Sequence, residues 1–364
     1  MSGPDYRSAA MSHPLLREGR DVEVAQEYIQ ACVAAPEDLF RRRRAVSLLG
    51  EMTSRHLETG GLPQEVIACF WRFVEAVPAF RGQADSLSAL DQGPRGPVLA
   101  AMAEAVDAIR VRARRWAEGV ARRQAAPRHL LLVTLPFSGV SAIAPILEEY
   151  LKAEGFALLN DVNRLPGALA DADAGGPRVF AWFHAPHEAM EPYLRRPDTA
   201  VVYLHRDPRD VVISSLCQGE PSPGAVFAGI FGYRLDELLV DCAPYFQALA
   251  AADAAAWTTT FPAMKADVPG CALRILGMLD LEPDEARVRA LAEAYSFRAL
   301  AGRREGEGAK FQRLGPYVVR KGTSGQWRER FDRTCAVFFA AKYGHLLLAA
   351  GWTGDMDWID EVQG

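Results

Sequence analysis

Paired cysteines are the first thing this chain lacks. Its six cysteines, Cys32, Cys69, Cys217, Cys242, Cys271 and Cys335, are far apart and form no C-x-x-C pair. Neither a zinc site nor a disulfide framework is signalled, and reduced, mostly buried thiols in a cytoplasmic protein are the expectation. No run of about 18 apolar residues occurs, so no transmembrane helix is expected, and no signal peptide either. An excess of positive charge is also missing. Lys and Arg number 41 against 46 Asp and Glu, for a net charge of −5. Broad binding to nucleic acid or to an anionic membrane is thereby disfavoured, and any anion site has to be a local basic cluster. Internal repeats and a Walker A loop (GxxxxGK followed by Ser or Thr) are absent as well.

What is present has the composition of a soluble globular protein, 49% hydrophobic and 24% charged over 364 residues. That length suggests one large domain plus an extra module. Apolar residues fall at helical spacing over Val22–Ala34, Pro36–Thr59 and Pro63–Val77, and a fourth helix follows over Pro97–Gln124. The basic end of that fourth helix reads as a solvated face or a domain junction rather than a ligand patch. Residues 1–125 are assigned to an N-terminal helical region. A lid, an oligomerisation surface and a docking element all suit it. The aromatic residues Phe70, Trp71 and Phe73 favour a lid or a homo-oligomer contact.

The pattern changes at Pro127, where a short apolar run from His129 is bounded by Pro and Gly. Such a run suits a buried parallel strand. A helix is expected over Ser141–Gly155, and further strands over Val179–Phe183 and Ala200–Leu204, each followed by a turn and a helical segment. Helices are then expected at Ala225–Ala250, Cys271–Leu279, Pro283–Tyr295 and Asp332–Ala350. Strand–helix alternation means a parallel sheet covered by helices. The predicted fold is α/β: a P-loop-like three-layer domain over residues 126–352, with a tail at 353–364.

Two segments suit phosphate. Leu131–Ile143 reads strand, tight Pro/Ser/Gly loop, helix, and its backbone N–H groups would face an anion, with Ser138 and Ser141 adding hydroxyls. Strand–turn–helix joints with Gly are common, so this signal is unspecific. Val201–Leu216 says more. An apolar strand ends in His205-Arg206-Asp207-Pro208-Arg209-Asp210, and Asp207 caps the helix that follows. Arg206 stands at the strand's carboxyl end, where open α/β sheets bind ligands, and Ser214 lies about two turns into the helix. An arginine fork plus a hydroxyl makes a phosphate clamp. Arg209 and Asp210 read as surface pairs.

This second segment resembles the 3′-phosphate motif of sulfotransferases that use 3′-phosphoadenosine 5′-phosphosulfate (PAPS) and release 3′-phosphoadenosine 5′-phosphate (PAP). Leu135–Ala142 (LPFSGVSA) resembles that family's 5′-phosphosulfate loop, and Arg320–Trp327 (RKGTSGQW) resembles its late RKGxxGDW segment. Between them, Phe261–Leu281 and Tyr295–Leu300 (YSFRAL) resemble the stretch that brings an aromatic ring onto adenine. The resemblance implies that Phe137, Ser138, Gly139, Val140 and Ser141 form the 5′ loop. It places Arg206 and Ser214 on the 3′-phosphate, Phe297 on adenine, and Arg320, Lys321 and Gly322 on the late loop. Residues 1–125 lie outside it.

Sulfuryl transfer needs a base, an in-line geometry and stabilisation of the leaving phosphate. The segment VFAWFHAPHEAMEPYL resembles the family's KTHLPxxLLP stretch, which makes His184 the general base, with Glu188 as a fallback. Three positions depart from the pattern: Phe137 replaces the loop lysine, Trp182 the lysine before the histidine, and Ala142 the adenine-packing tryptophan. Lys310, Arg313 and Arg164 are candidate substitutes for the missing cation. The expected activity is sulfuryl transfer from PAPS to a hydroxyl or amine of a small-molecule acceptor, without metal. The alternative is a nucleotide-binding protein that has lost or changed this chemistry because of Phe137.

Overall fold

The computed structural model describes residues 95–120, 127–216, 239–302 and 321–362, together with 23, 26, 27, 30, 90, 226, 230, 305, 312–314 and 317–319. Residues 23, 26, 27 and 30, within the helix expected over Val22–Ala34, are helical; the rest of that helix, the helices expected over Pro36–Thr59 and Pro63–Val77, the aromatic trio at 70–73, Cys32, Cys69, Cys217, Lys310 and Arg320 lie outside these residues.

In chain order the elements are α1 (Gly96–Val120), β1 (His129–Thr134), α2 (Ala144–Ala153), β2 (Ala157–Leu159), α3 (Leu165–Asp173), β3 (Val179–Phe183), α4 (His187–Leu194), β4 (Thr199–His205) and α5 (Pro208–Leu216). Then come α6 (Ala243–Ala252), β5 (Ala256–Thr260), α7 (Phe261–Ala266), α8 (Val268–Gly277), α9 (Glu285–Ala294), α10 (Phe297–Ala301), the antiparallel pair β6 (Gln312–Leu314) and β7 (Tyr317–Val319), α11 (Trp327–Arg330) and α12 (Arg333–Ala349). Strands β2-β3-β1-β4-β5 form one sheet, parallel throughout. The strands β1, β3 and β4 are buried along their whole length, as the unbroken apolar runs require when helices cover both faces.

Local chemistry explains where the elements differ from the expectations. The helix expected over Ser141–Gly155 is split: a 3-10 turn covers Val140–Ala142, and α2 starts at Ala144 with Pro145 in its first turn. The helix expected over Ala225–Ala250 is interrupted by a turn at Leu239, whose φ is 60°, so that α6 begins only at Ala243. Four strands went unforeseen: β2 and β5 in the main sheet, and the short antiparallel pair β6 and β7. β2 has three residues, and β5 (AWTTT) is a half-exposed edge strand with few apolar residues. The stripe Val98, Met102, Val106, Ile109, Ala113 and Ala117 is buried, so α1 packs on α6 and α12. Its basic end is solvated, with Arg112, Arg114 and Arg115 exposed. Within 353–364, Met356, Trp358 and Ile359 are buried in the same apolar cluster as α12.

Candidate active site

Parallel sheets present their loops at the carboxyl ends of the strands, and ligands bind there where strand order reverses. The chain leaves β1 for β2 and β3 on one side, then crosses to β4 and β5 on the other. A cleft of about 730 Å³ opens at this point. Its walls carry Phe137, Gly139, Val140 and Ser141 after β1, His184 after β3, Arg206 after β4 and Phe261 after β5. Ser214, Phe297, Lys321 and Gly322 line it as well. The volume suits a nucleotide-sized ligand.

In the first loop, both Phe137 (φ 62°) and Gly139 (φ 89°) are left-handed. A side chain at position 139 would meet the Phe261 ring at 2.3 Å, so only glycine lets ring and loop come together. Phe137 packs its side chain against the apolar cluster of Leu135 and Trp327. Ser138 departs from the expectation: it is wholly buried, and its hydroxyl donates to the Leu135 carbonyl.

Arg206 joins the loops. Its Nη1 donates to the Phe137 carbonyl (3.1 Å) and to Ser214 Oγ (3.0 Å), and its Nη2 donates to the Thr323 carbonyl (2.6 Å). The Phe261 ring lies 4.6 Å from the guanidinium. Arg209 and Asp210, expected as surface pairs, are only 3% and 1% exposed. The Asp210 carboxylate accepts from Gly325 N (2.7 Å) and Trp327 N (3.3 Å). Burial pushes its carboxyl above the usual value, and Arg206 with those two N–H groups pulls it back. These residues are buried because the late loop folds over the start of α5, which nothing in their local sequence reveals.

His184 follows β3 with one edge open to the cleft. Its Nδ1 lies 2.9 Å from the Thr134 carbonyl and 2.8 Å from Thr134 Oγ1. A carbonyl only accepts, so Nδ1 carries the proton and Nε2 keeps its lone pair. Burial holds the imidazole below the usual histidine value, partly offset by that hydrogen bond. Glu188 is exposed on α4 beside His187 (3.3 Å) and is not part of the cleft wall. His205 is buried under the site, stacked on Tyr203, with its pKa lowered to about 4 by burial.

Neither lysine position is refilled in place. Trp182 donates from Nε1 to Glu148 (2.6 Å) at the cleft wall. Arg164 is exposed in a 3-10 turn and does not line the cleft. Arg313 sits in β6. The structure adds Lys265, which lines the cleft, pairs with Glu305 and lies 5.9 Å from the Phe297 ring. Phe261 and Lys265 were missed as individual site residues because β5 was unrecognised, and with it the strand end that presents them. At Gly322 (φ 68°) a side chain would meet the Phe297 ring at 2.9 Å, so ring and late loop are in close contact.

A three-layer α/β domain with loops gathered at its switch point has the architecture in which nucleotide-binding proteins hold their ligands. The sulfotransferase domain model matches residues 127–350, and the chain belongs to that family. No curated protein matches the chain. Among solved structures, a mouse sulfotransferase complexed with PAP is 16% identical over 61% of this chain and 86% of that one, with a TM-score of 0.45. Retinol dehydratase in complex with androsterone and the inactive cofactor PAP is 19% identical over 63% and 83%, with a TM-score of 0.41. The same enzyme with retinol and PAP gives a TM-score of 0.40.

Proposed function

We propose that the protein transfers a sulfuryl group from PAPS to a hydroxyl or amine of a small-molecule acceptor, with His184 as general base. The observation that carries this reading is one cleft holding both the Arg206–Ser214 pair with Lys321 and a histidine whose Nδ1 lies against the Thr134 carbonyl. The acceptor oxygen or nitrogen attacks sulfur, and the bond from sulfur to the 5′-phosphate oxygen breaks. Nε2 of His184 takes the acceptor's proton and later gives it to water. Arg206 and Lys321 hold the 3′-phosphate, Phe297 supports adenine, and backbone N–H groups around Gly139 and Ser141 face the 5′-phosphate. PAP leaves. The test is a donor-dependent assay against a panel of phenols, alcohols, sugars and amines. Activity unchanged in His184→Ala would sink the assigned base.

A second reading is favoured by one feature. Phe137 holds the position of the cation that would meet the leaving phosphate, and at the cleft wall it packs, half-buried, against the apolar cluster instead. A protein that binds PAP without transferring sulfuryl fits that feature. Calorimetric PAP binding with no turnover on any acceptor would select this reading.

A further inference from the structure

The late loop is braced by a part of the chain that the family match leaves out. Arg209 forks onto Asp207 (Nε–Oδ1 3.0 Å, Nη2–Oδ2 2.8 Å) and lies 4.0 Å over the Trp327 ring. Trp358 lies on the same guanidinium at 4.7 Å, and its ring meets Trp327 edge-on at 5.4 Å. Trp358 is 3% exposed and belongs to the 3-10 turn Asp357–Glu361, beyond the matched residues 127–350.

That turn is itself anchored. Asp360 accepts both Nη1 and Nη2 of Arg95 at 2.9 Å and Nη1 of Arg333 at 2.9 Å. Arg95 also donates to the Leu90 carbonyl (3.2 Å). A continuous set of contacts thus runs from Arg95 through Asp360 and Trp358 to Arg209 and Trp327. Trp327 closes the segment whose Lys321, Gly322 and Gln326 line the cleft. A guanidinium held by a carboxylate fork and two indole rings has little freedom, and stacking of this kind is strongest when desolvated.

We propose that Trp358 is a positioning residue for the 3′-phosphate side of the site, acting through Arg209 and Trp327 on the loop 321–327. The inference rests on the reading that this side receives the 3′-phosphate. Trp358 does not line the cleft. It fixes where Lys321 and the loop backbone stand. Its Nε1–H finds no hydrogen-bond partner among the described residues, so the ring's shape and area carry the role, and phenylalanine can take it over.

The experiment is isothermal titration of PAP and of 5′-AMP into the full chain, comparing wild type with Trp358→Ala and Trp358→Phe. Wild type is expected to prefer PAP. Trp358→Ala should lose about tenfold in PAP affinity while AMP binding stays within about twofold, and Trp358→Phe should recover most of the loss. In turnover, the donor KM rises in Trp358→Ala and kcat holds. An unchanged PAP-to-AMP ratio, or an equal loss for both ligands, would overturn the proposal. Should Trp358→Ala fail to fold, Asp360→Asn loosens the same turn from an exposed position. It should narrow the ratio about two- to threefold, and no narrowing overturns the proposal. Wild-type protein with no preference for PAP would overturn the functional reading itself, and this inference with it.

Discussion

On the late-loop side of the cleft, Arg206, Arg209 and Asp210 are all less than one-tenth exposed and knit α5 to residues 323–327. On the first-loop side, the backbone turn is kept by Gly139, while Phe137 puts an apolar ring where the family carries a cation. The first of these regions is organised around buried charge and reads as a holding device. The second, on the proposed reading, lacks a cation that would act on the leaving phosphate. If the proposed function holds, binding and catalysis should be separable by mutation.

The largest contrast should come from His184→Ala. It is expected to lower kcat by about 10²–10⁴ and leave PAP affinity unchanged, checked by donor-dependent turnover beside calorimetry. In the wild type, kcat/KM should fall only as pH drops below the ordinary histidine value, because the imidazole's folded pKa is depressed. A pH–rate profile that falls at higher pH would contradict this assignment. Next in size is Phe137→Lys, which restores a cation on the first-loop side. It should raise kcat by about 10²–10³ with little change in PAP affinity, the reverse of removing one charge-stabilising donor. No gain in turnover would mean that the first-loop side is silent for a different reason.

Acid should weaken the fold through His205, buried at the end of β4. Its pKa is about 4 folded against 6.5 unfolded, so the unfolded state binds more protons between those values. The stability is fully present above pH 6.5 and drains as pH falls toward 4, to the extent of about 3 kcal/mol. Denaturant midpoints at pH 7 and pH 4.5 measure it, and His205→Phe should flatten the difference. The smallest effect is expected from Gly322→Ala. A left-handed alanine against the Phe297 ring costs about 1–2 kcal/mol, read as about a tenfold loss of PAP affinity.

Much of the sheet was legible because parallel strands buried on both faces need unbroken apolar runs; β3 falls at Val179–Phe183 as read. The edge strands were not legible, since β2 is too short and β5 too polar to stand out. Residues immediately after a recognised strand, His184 and Arg206, could be named one by one. Those after an unrecognised strand, Phe261 and Lys265, could not. Ser138 was read from its place in the loop, but the direction of its hydroxyl depends on a backbone carbonyl that only the folded turn brings near.

By itself the sequence determined the α/β layering, the strand ends that present the loops, and the chemical types available there, because periodicity and turn residues are local properties. Only the tertiary structure decided that Arg209 and Asp210 are interior, that Trp358 stacks on an arginine 149 positions earlier, and that Arg206 spans both loops. Those outcomes depend on which surfaces the chain brings together and dries. Contacts of that kind arise between segments far apart in sequence, and no local pattern encodes them.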